Sequence, residues 1–276
     1  MVWIQRVAPR PFAARRLICF PHAGGSPYFF QNWGKALDGF EVHAVCYPGR
    51  AERMAEAPAE HLATMARDIA GELAEALAED ERPAVFFGHS MGAIVGYETA
   101  VALAAKDAGP AQAHTPSPAR AQSHVHAPTP AQAQTPNPAQ TRAPTHFFAS
   151  GARAPHLMRP DPHAYGDDAS VAAALVELGG TDAELLANPA FVEFVLPYIG
   201  ADFRMLSSYS ATRAAPLECP VTALVGAADP RVSAEQASAW REVTRGPFAL
   251  HTPAGDHFYL AQEPPFGLIE RCASGC

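Results

Sequence analysis

Short apolar runs alternate with amphipathic stretches along this chain. Residues 17–20, 42–47, 85–87, 146–150, 221–225 and 248–251 each read as a buried strand, bounded by Gly, Pro or a polar cluster. Between the second and third runs, Leu62, Met65, Ile69, Leu73 and Leu77 recur at three- and four-residue spacing, with Glu72, Glu75 and Glu79 on other faces. That spacing predicts a helix over 59–79, broken by Pro83. A second, Ala- and Val-rich helix is predicted from Ser90 to about Lys106. Strands alternating with helices predict an α/β fold: a mostly parallel sheet flanked by helices. Residues 155–216 carry several apolar helical segments before the fifth run, and are expected to form a helical lid.

One junction carries chemistry. The run Val85-Phe86-Phe87 ends in Gly88-His89-Ser90-Met91-Gly92, and a helix follows at once. This is the setting of a nucleophile elbow, where two glycines let strand and helix approach and the serine hydroxyl is pushed out at the sheet edge. The Met91 amide opens the helix and can donate to an oxyanion. The loop Pro21-His22-Ala23-Gly24-Gly25-Ser26, after the first predicted strand, is where such a fold places a second donor. Asp229 follows the strand at 221–225, and His257 follows the strand at 248–251. The order Ser90, Asp229, His257 is that of an α/β-hydrolase triad. A serine hydroxyl needs a base, and an imidazole with pKa near 6.5 can take its proton and return it. A carboxylate fixes the imidazole tautomer. Asp256 is a rival acid, but it immediately precedes the histidine.

Length and charge narrow the picture. The 276 residues suit one α/β domain spanning 1–276. A net charge of −8 argues against nucleic acid or an anionic membrane as partner. The five cysteines make no C-x-x-C pair, which fits free thiols, a reduced cytoplasmic setting and no metal site. No apolar run reaches membrane-spanning length.

From Asp107 to Thr145 the composition collapses to nearly all Ala, Pro, Gln, Thr, His and Ser, and the decamer at 110–119 returns at 130–139 with two changes, Gln134 for His114 and Asn137 for Ser117. Such a tract has no apolar face to bury and is expected to be a disordered insertion. His124 and His126 within it lack the preorganisation a metal site needs. Removing these 39 residues leaves 237 for the core.

Several segments together resemble the stand-alone type II thioesterases of nonribosomal peptide and polyketide synthesis. They are C-F-P-H-A-G-G-S from Cys19, Y-P-G-R-A-E-R from Tyr47, G-H-S-M-G from Gly88 and S-G-A-R-A-P-H from Ser150. L-G-G-T-D from Leu178, L-A-N-P from Leu186, A-D-F from Ala201, G-A-A-D-P from Gly226 and G-D-H-F from Gly255 complete the set. The resemblance spans nearly the whole chain except the repeat tract, which the family lacks. In the A-D-F segment, Ser207 stands where the family usually has glutamate. The resemblance implies an α/β-hydrolase that needs no cofactor. It would remove acyl or aminoacyl groups from the phosphopantetheine arm of carrier proteins, acting as a monomer. It assigns Ser90 as nucleophile, His257 as base, Asp229 as acid, and the Ala23 and Met91 amides as the oxyanion hole. Arg50, Arg53, Arg153 and Arg159 lie in loops after strands, near the expected mouth of the site, where they could steer an acidic carrier. A small-molecule carboxylesterase and a non-catalytic carrier-docking protein of the same fold are the alternative readings.

Overall fold

The computed structural model describes residues 3–107, 143–179, 183–211 and 216–273. Most of the repeat tract, with His124 and His126, lies outside the described residues.

Seven strands form one sheet: β1 (Ile4–Ala8), β2 (Arg15–Phe20), β3 (Phe40–Val45), β4 (Ala84–His89), β5 (His146–Ser150), β6 (Val221–Leu224) and β7 (Phe248–His251). The spatial order is β1-β3-β2-β4-β5-β6-β7. Only β1 runs antiparallel, against β3. The sequence pattern predicts the other six and misses β1. That edge strand is partly exposed along its length, with Arg6 at its centre, so it shows no apolar run.

Side chains of consecutive strand residues point to opposite faces, and two cores result. Ile18, Phe20, Phe86 and Phe147 pack on one face, with α2 (Leu62–Glu79) and α3 (Met91–Asp107). Leu17, Cys19, Val85, Phe87 and Phe148 pack on the other, with α1 (Trp33–Ala36), α9 (Tyr259–Gln262) and α10 (Phe266–Ala273). Each fully buried aliphatic or aromatic side chain is worth about 1.5–3 kcal/mol, so the continuous apolar strands supply most of the drive to this layering. Cys19, Cys46 and Cys219 are buried free thiols, and burial pushes Cys219 up to about 12.

Between β5 and β6 lie α4 (Asp168–Glu177), α5 (Ala183–Leu186), α6 (Pro189–Phe194) and α7 (Leu196–Ser207). The stretch before α4 is mostly irregular, contrary to a wholly helical segment from 155. Pro160 and Pro162 remove amide donors there and disfavour helical geometry at the residues before them. Regular helix starts where Asp167 and Ser170 form a reciprocal cap. A second reciprocal cap, between Ser233 and Gln236, opens α8 (Ala234–Ser238).

Candidate active site

The parallel strands all end on one edge, and the loops leaving that edge carry the predicted chemical groups. Ser90 sits between β4 and α3 with φ +54°, a left-handed conformation uncommon for a residue with a side chain. It is held there by its neighbours. Its amide donates to Ser150 O at 2.8 Å, and Ala93 N donates to Ser90 O at 3.0 Å. A Cβ on Gly92 would run into the Phe20 carbonyl, and one on Gly88 would lie 2.5 Å from Ala93 Cα. The turn is therefore tight enough to force the serine conformation, at a cost of about 1–3 kcal/mol carried by the surrounding packing.

Asp229 and His257 come from loops after adjacent strands, β6 and β7. Ala227 N donates to Pro253 O and Ala228 N to Gly255 O, both at 2.8 Å, stitching the two loops together. His257 Nδ1 then donates to Asp229 Oδ2 at 2.7 Å, with both side chains buried. Asp229 Oδ1 accepts from the amides of Arg231 (2.8 Å) and Val232 (3.0 Å), so the carboxylate is fixed from both ends. Asp256, the rival acid, is exposed and accepts from the Phe258 amide instead. The second imidazole nitrogen, His257 Nε2, is buried without a partner among the described residues. His257 and Ser90 share the wall of a cavity of about 180 Å³. Ile94, Met158, Leu178, Phe203, Leu206 and Val232 give it an apolar lining.

Two further histidines lie in a row beside His257. The His89 ring lies 5.1 Å from it, and His22 lies 5.9 Å from His89. His89 Nδ1 is 3.0 Å from Ser150 Oγ, which in turn is 2.8 Å from Tyr259 OH. Burial pushes His22 down to about 3 and His89 well below the usual imidazole range. Both stay neutral near pH 7, so neither repels a positive charge formed on His257. Gly151, with φ +57°, makes room: a Cβ there would be 2.7 Å from His89 Cε1 and 3.3 Å from His257 Cε1. The Ser150 hydroxyl is fully buried beneath these rings and does not reach the cavity. His22 and His89 lie inside the C-F-P-H and G-H-S-M-G segments, so their positions were visible in the sequence; the packing of His89 against His257, and of His22 against His89, was not.

Of the amides in the loop after β2, Gly24 donates to Asp202 Oδ2 (2.8 Å) and Gly25 to His22 O (2.8 Å). No acceptor for the amides of Ala23 and Met91 occurs among the described residues.

The arginines divide. Arg153 and Arg159 reach the cavity wall, together with Arg231. Arg50 and Arg53 do not lie open at its mouth as the sequence suggests: they are 2% and 5% exposed. Arg50 pairs with buried Asp202 through two bonds of 2.5 and 2.7 Å. Arg53 lies 3.8 Å from the Trp3 ring centroid and donates to Cys46 O and Glu56. A buried guanidinium must be paired, and these partners consume the forks that would otherwise face a carrier.

A mostly parallel sheet with a serine on its strand-to-helix turn, and a bonded Asp–His pair in later loops, defines an α/β-hydrolase. Within that class the chain belongs to the thioesterase family: the thioesterase domain model matches residues 15–128 and 138–275. It is 35% identical over 261 residues to the "Probable cadicidin biosynthesis thioesterase" of Streptomyces griseus, covering 94% of this chain and 62% of that protein. Thioesterase PikA5 of Streptomyces venezuelae is 34% identical, with 94% of this chain and 80% of that protein covered. Among solved structures, the type II thioesterase BorB of the borrelidin cluster matches with TM-score 0.74 and 32% identity, over 98% of this chain and 97% of that one. YbtT, the type II thioesterase of the yersiniabactin pathway, matches with TM-score 0.75 and 29% identity, over 98% of each chain.

Proposed function

We propose that this protein is a serine thioesterase that strips acyl or aminoacyl groups from the phosphopantetheine arm of carrier proteins, clearing stalled or misprimed polyketide or peptide synthases. The observation that carries the reading is the Asp229–His257 hydrogen bond, which leaves His257 Nε2 unpartnered in a cavity wall shared with Ser90. In this reading His257 takes the Ser90 proton as the serine oxygen attacks the thioester carbonyl. The amides of Ala23 and Met91 receive the oxyanion. Collapse breaks the carbon–sulfur bond, and the imidazolium protonates the departing thiolate. Water, deprotonated by His257, attacks the acyl-serine, and a second collapse releases the free acid and restores Ser90.

Neutral His22 and His89 suit this cycle, because the imidazolium formed twice on His257 meets no neighbouring positive charge. Ser150 is hydrogen-bonded to His89, but its burial away from the cavity and the absence, among the described residues, of a carboxylate on His89 argue against it as nucleophile. The proposed enzyme is one cytoplasmic, monomeric domain, with 155–216 as lid over the cavity and 107–145 as an insertion in the sequence.

The test is intact-mass analysis of an acyl-loaded carrier protein incubated with wild type and with Ser90→Ala. Stripping by the wild type alone supports the reading. Failure on short acyl and aminoacyl carriers, with good turnover of nitrophenyl esters, would assign a small-ester carboxylesterase. An acyl-serine that accumulates without turnover would assign a carrier-docking role.

A further inference from the structure

The A-D-F segment and the Y-P-G-R segment meet in a place that the triad does not account for. Asp202 projects from α7, and Arg50 from the loop after β3; each is 2% exposed. Beyond its two parallel bonds to Arg50, the Asp202 carboxylate accepts a third, from the Gly24 amide to Oδ2 at 2.8 Å. Arg50 Nη1 in turn donates to Gly25 O at 3.3 Å. Tyr47, which lies against the Arg50 guanidinium, donates its hydroxyl to Pro21 O at 3.1 Å. The loop at 21–25 is thus gripped at Pro21, Gly24 and Gly25, on both sides of Ala23. Gly24 has φ +75°, and a Cβ there would lie 2.7 Å from Ile199 Cγ1, so α7 also limits the loop sterically.

We propose that Asp202 and Arg50 are positioning residues that aim the Ala23 amide at the oxyanion. The inference rests on the reading of Ala23 as an oxyanion donor. Stability alone does not call for this pair, since well-packed apolar side chains commonly replace buried ion pairs without loss. What apolar side chains cannot do is accept the Gly24 amide and so fix the peptide plane next to Ala23. Charge matters as well. A lone carboxylate bonded one residue from the oxyanion donor would oppose negative charge on the substrate; the bidentate guanidinium cancels it. The pair therefore supplies an acceptor for the loop without an adverse field. An oxyanion donor displaced by a fraction of an ångström loses most of its value, because the transition state is stabilised only at hydrogen-bond distance.

The experiment compares Asp202→Ala, Asp202→Asn, Arg50→Met and the Asp202→Asn/Arg50→Met double variant with wild type and Ser90→Ala. The substrate is an acyl N-acetylcysteamine thioester, and a trifluoromethyl ketone analogue reports transition-state binding. Asp202→Ala is expected to lower kcat about 10²-fold. KM should stay within a few-fold, and ketone affinity should fall in parallel with kcat. Arg50→Met, which strands the carboxylate, is expected to be worse than the double variant, in which the neutral Asn oxygen still accepts from Gly24. If Asp202→Ala does not fold by near-ultraviolet circular dichroism, Asp202→Asn and the double variant give the same comparison of kcat with ketone affinity. Folded variants with wild-type kcat and ketone affinity would overturn the inference while leaving the triad intact. Losses that track only the folded fraction would also overturn it. Wild-type turnover that survives Ser90→Ala would instead remove the underlying reading.

Discussion

The Asp229 carboxylate binds His257 Nδ1 through one oxygen and two backbone amides through the other, so its orientation does not depend on the imidazole. Asp229→Asn should therefore keep its turn. The amide oxygen can hold the Arg231 and Val232 amides, which points the NH₂ group at His257. That forces the proton onto Nε2, the wrong nitrogen to deprotonate Ser90. Turnover is expected to fall about 10⁴-fold, with stability changed by no more than about 1 kcal/mol. Steady-state kinetics on an acyl thioester, with urea unfolding alongside, checks both halves. Turnover within tenfold of wild type would mean that Asp229 does not orient the base.

Gly92→Ala and Gly71→Ala should move stability in opposite directions. A Cβ on Gly92 meets backbone, the Phe20 carbonyl, which cannot rotate away. The expected cost is about 3 kcal/mol or more. Gly71 lies inside α2 with nothing within 4 Å of its added Cβ. Alanine there should stabilise by about 0.5–1 kcal/mol through helix propensity alone. Denaturant midpoints of the two variants decide the matter, and a tolerated Gly92→Ala would contradict the tight elbow.

Stability should fall steeply on mild acidification. Burial lowers the pKa of His22 to about 3 and of His146 to about 4, and it also lowers His43 and His89. Above the unfolded value near 6.5, neither state carries these protons. Below it the unfolded chain takes them up and the native state does not. Each such histidine then costs up to about 1.4 kcal/mol per pH unit, until its folded pKa is reached. Glu98, whose carboxyl burial raises above the usual range, works weakly the other way. Urea unfolding between pH 7.5 and 5 measures the slope. His146→Leu should reduce the slope by about one histidine's share, and a flat profile in the wild type would contradict neutral burial.

The sequence by itself determined the layering and which loops carry Ser90, Asp229 and His257. Short continuous apolar runs such as Val85-Phe86-Phe87, bounded by Pro83 and Gly88, read as strands covered on both faces, and their alternation with the periodic helix at 62–79 points to a parallel α/β sheet. The placement of Ser90, Asp229 and His257 on one sheet edge was legible because each follows such a run, and parallel strands place all their carboxyl ends on one edge. Edge strand β1 was not legible, because a half-exposed strand with a central arginine carries no periodic signal. Only the tertiary structure decided which of Asp229 and Asp256 meets the imidazole, since that depends on how the β6 and β7 loops are stitched. It also decided that Arg50 and Arg53 turn inward while Arg153 and Arg159 reach the cavity, and that Asp202 holds Gly24 across 178 residues of chain. Local sequence sets backbone conformation and burial periodicity. The partner of a charged side chain is set by contacts between segments far apart in the chain, and those exist only once the core has packed.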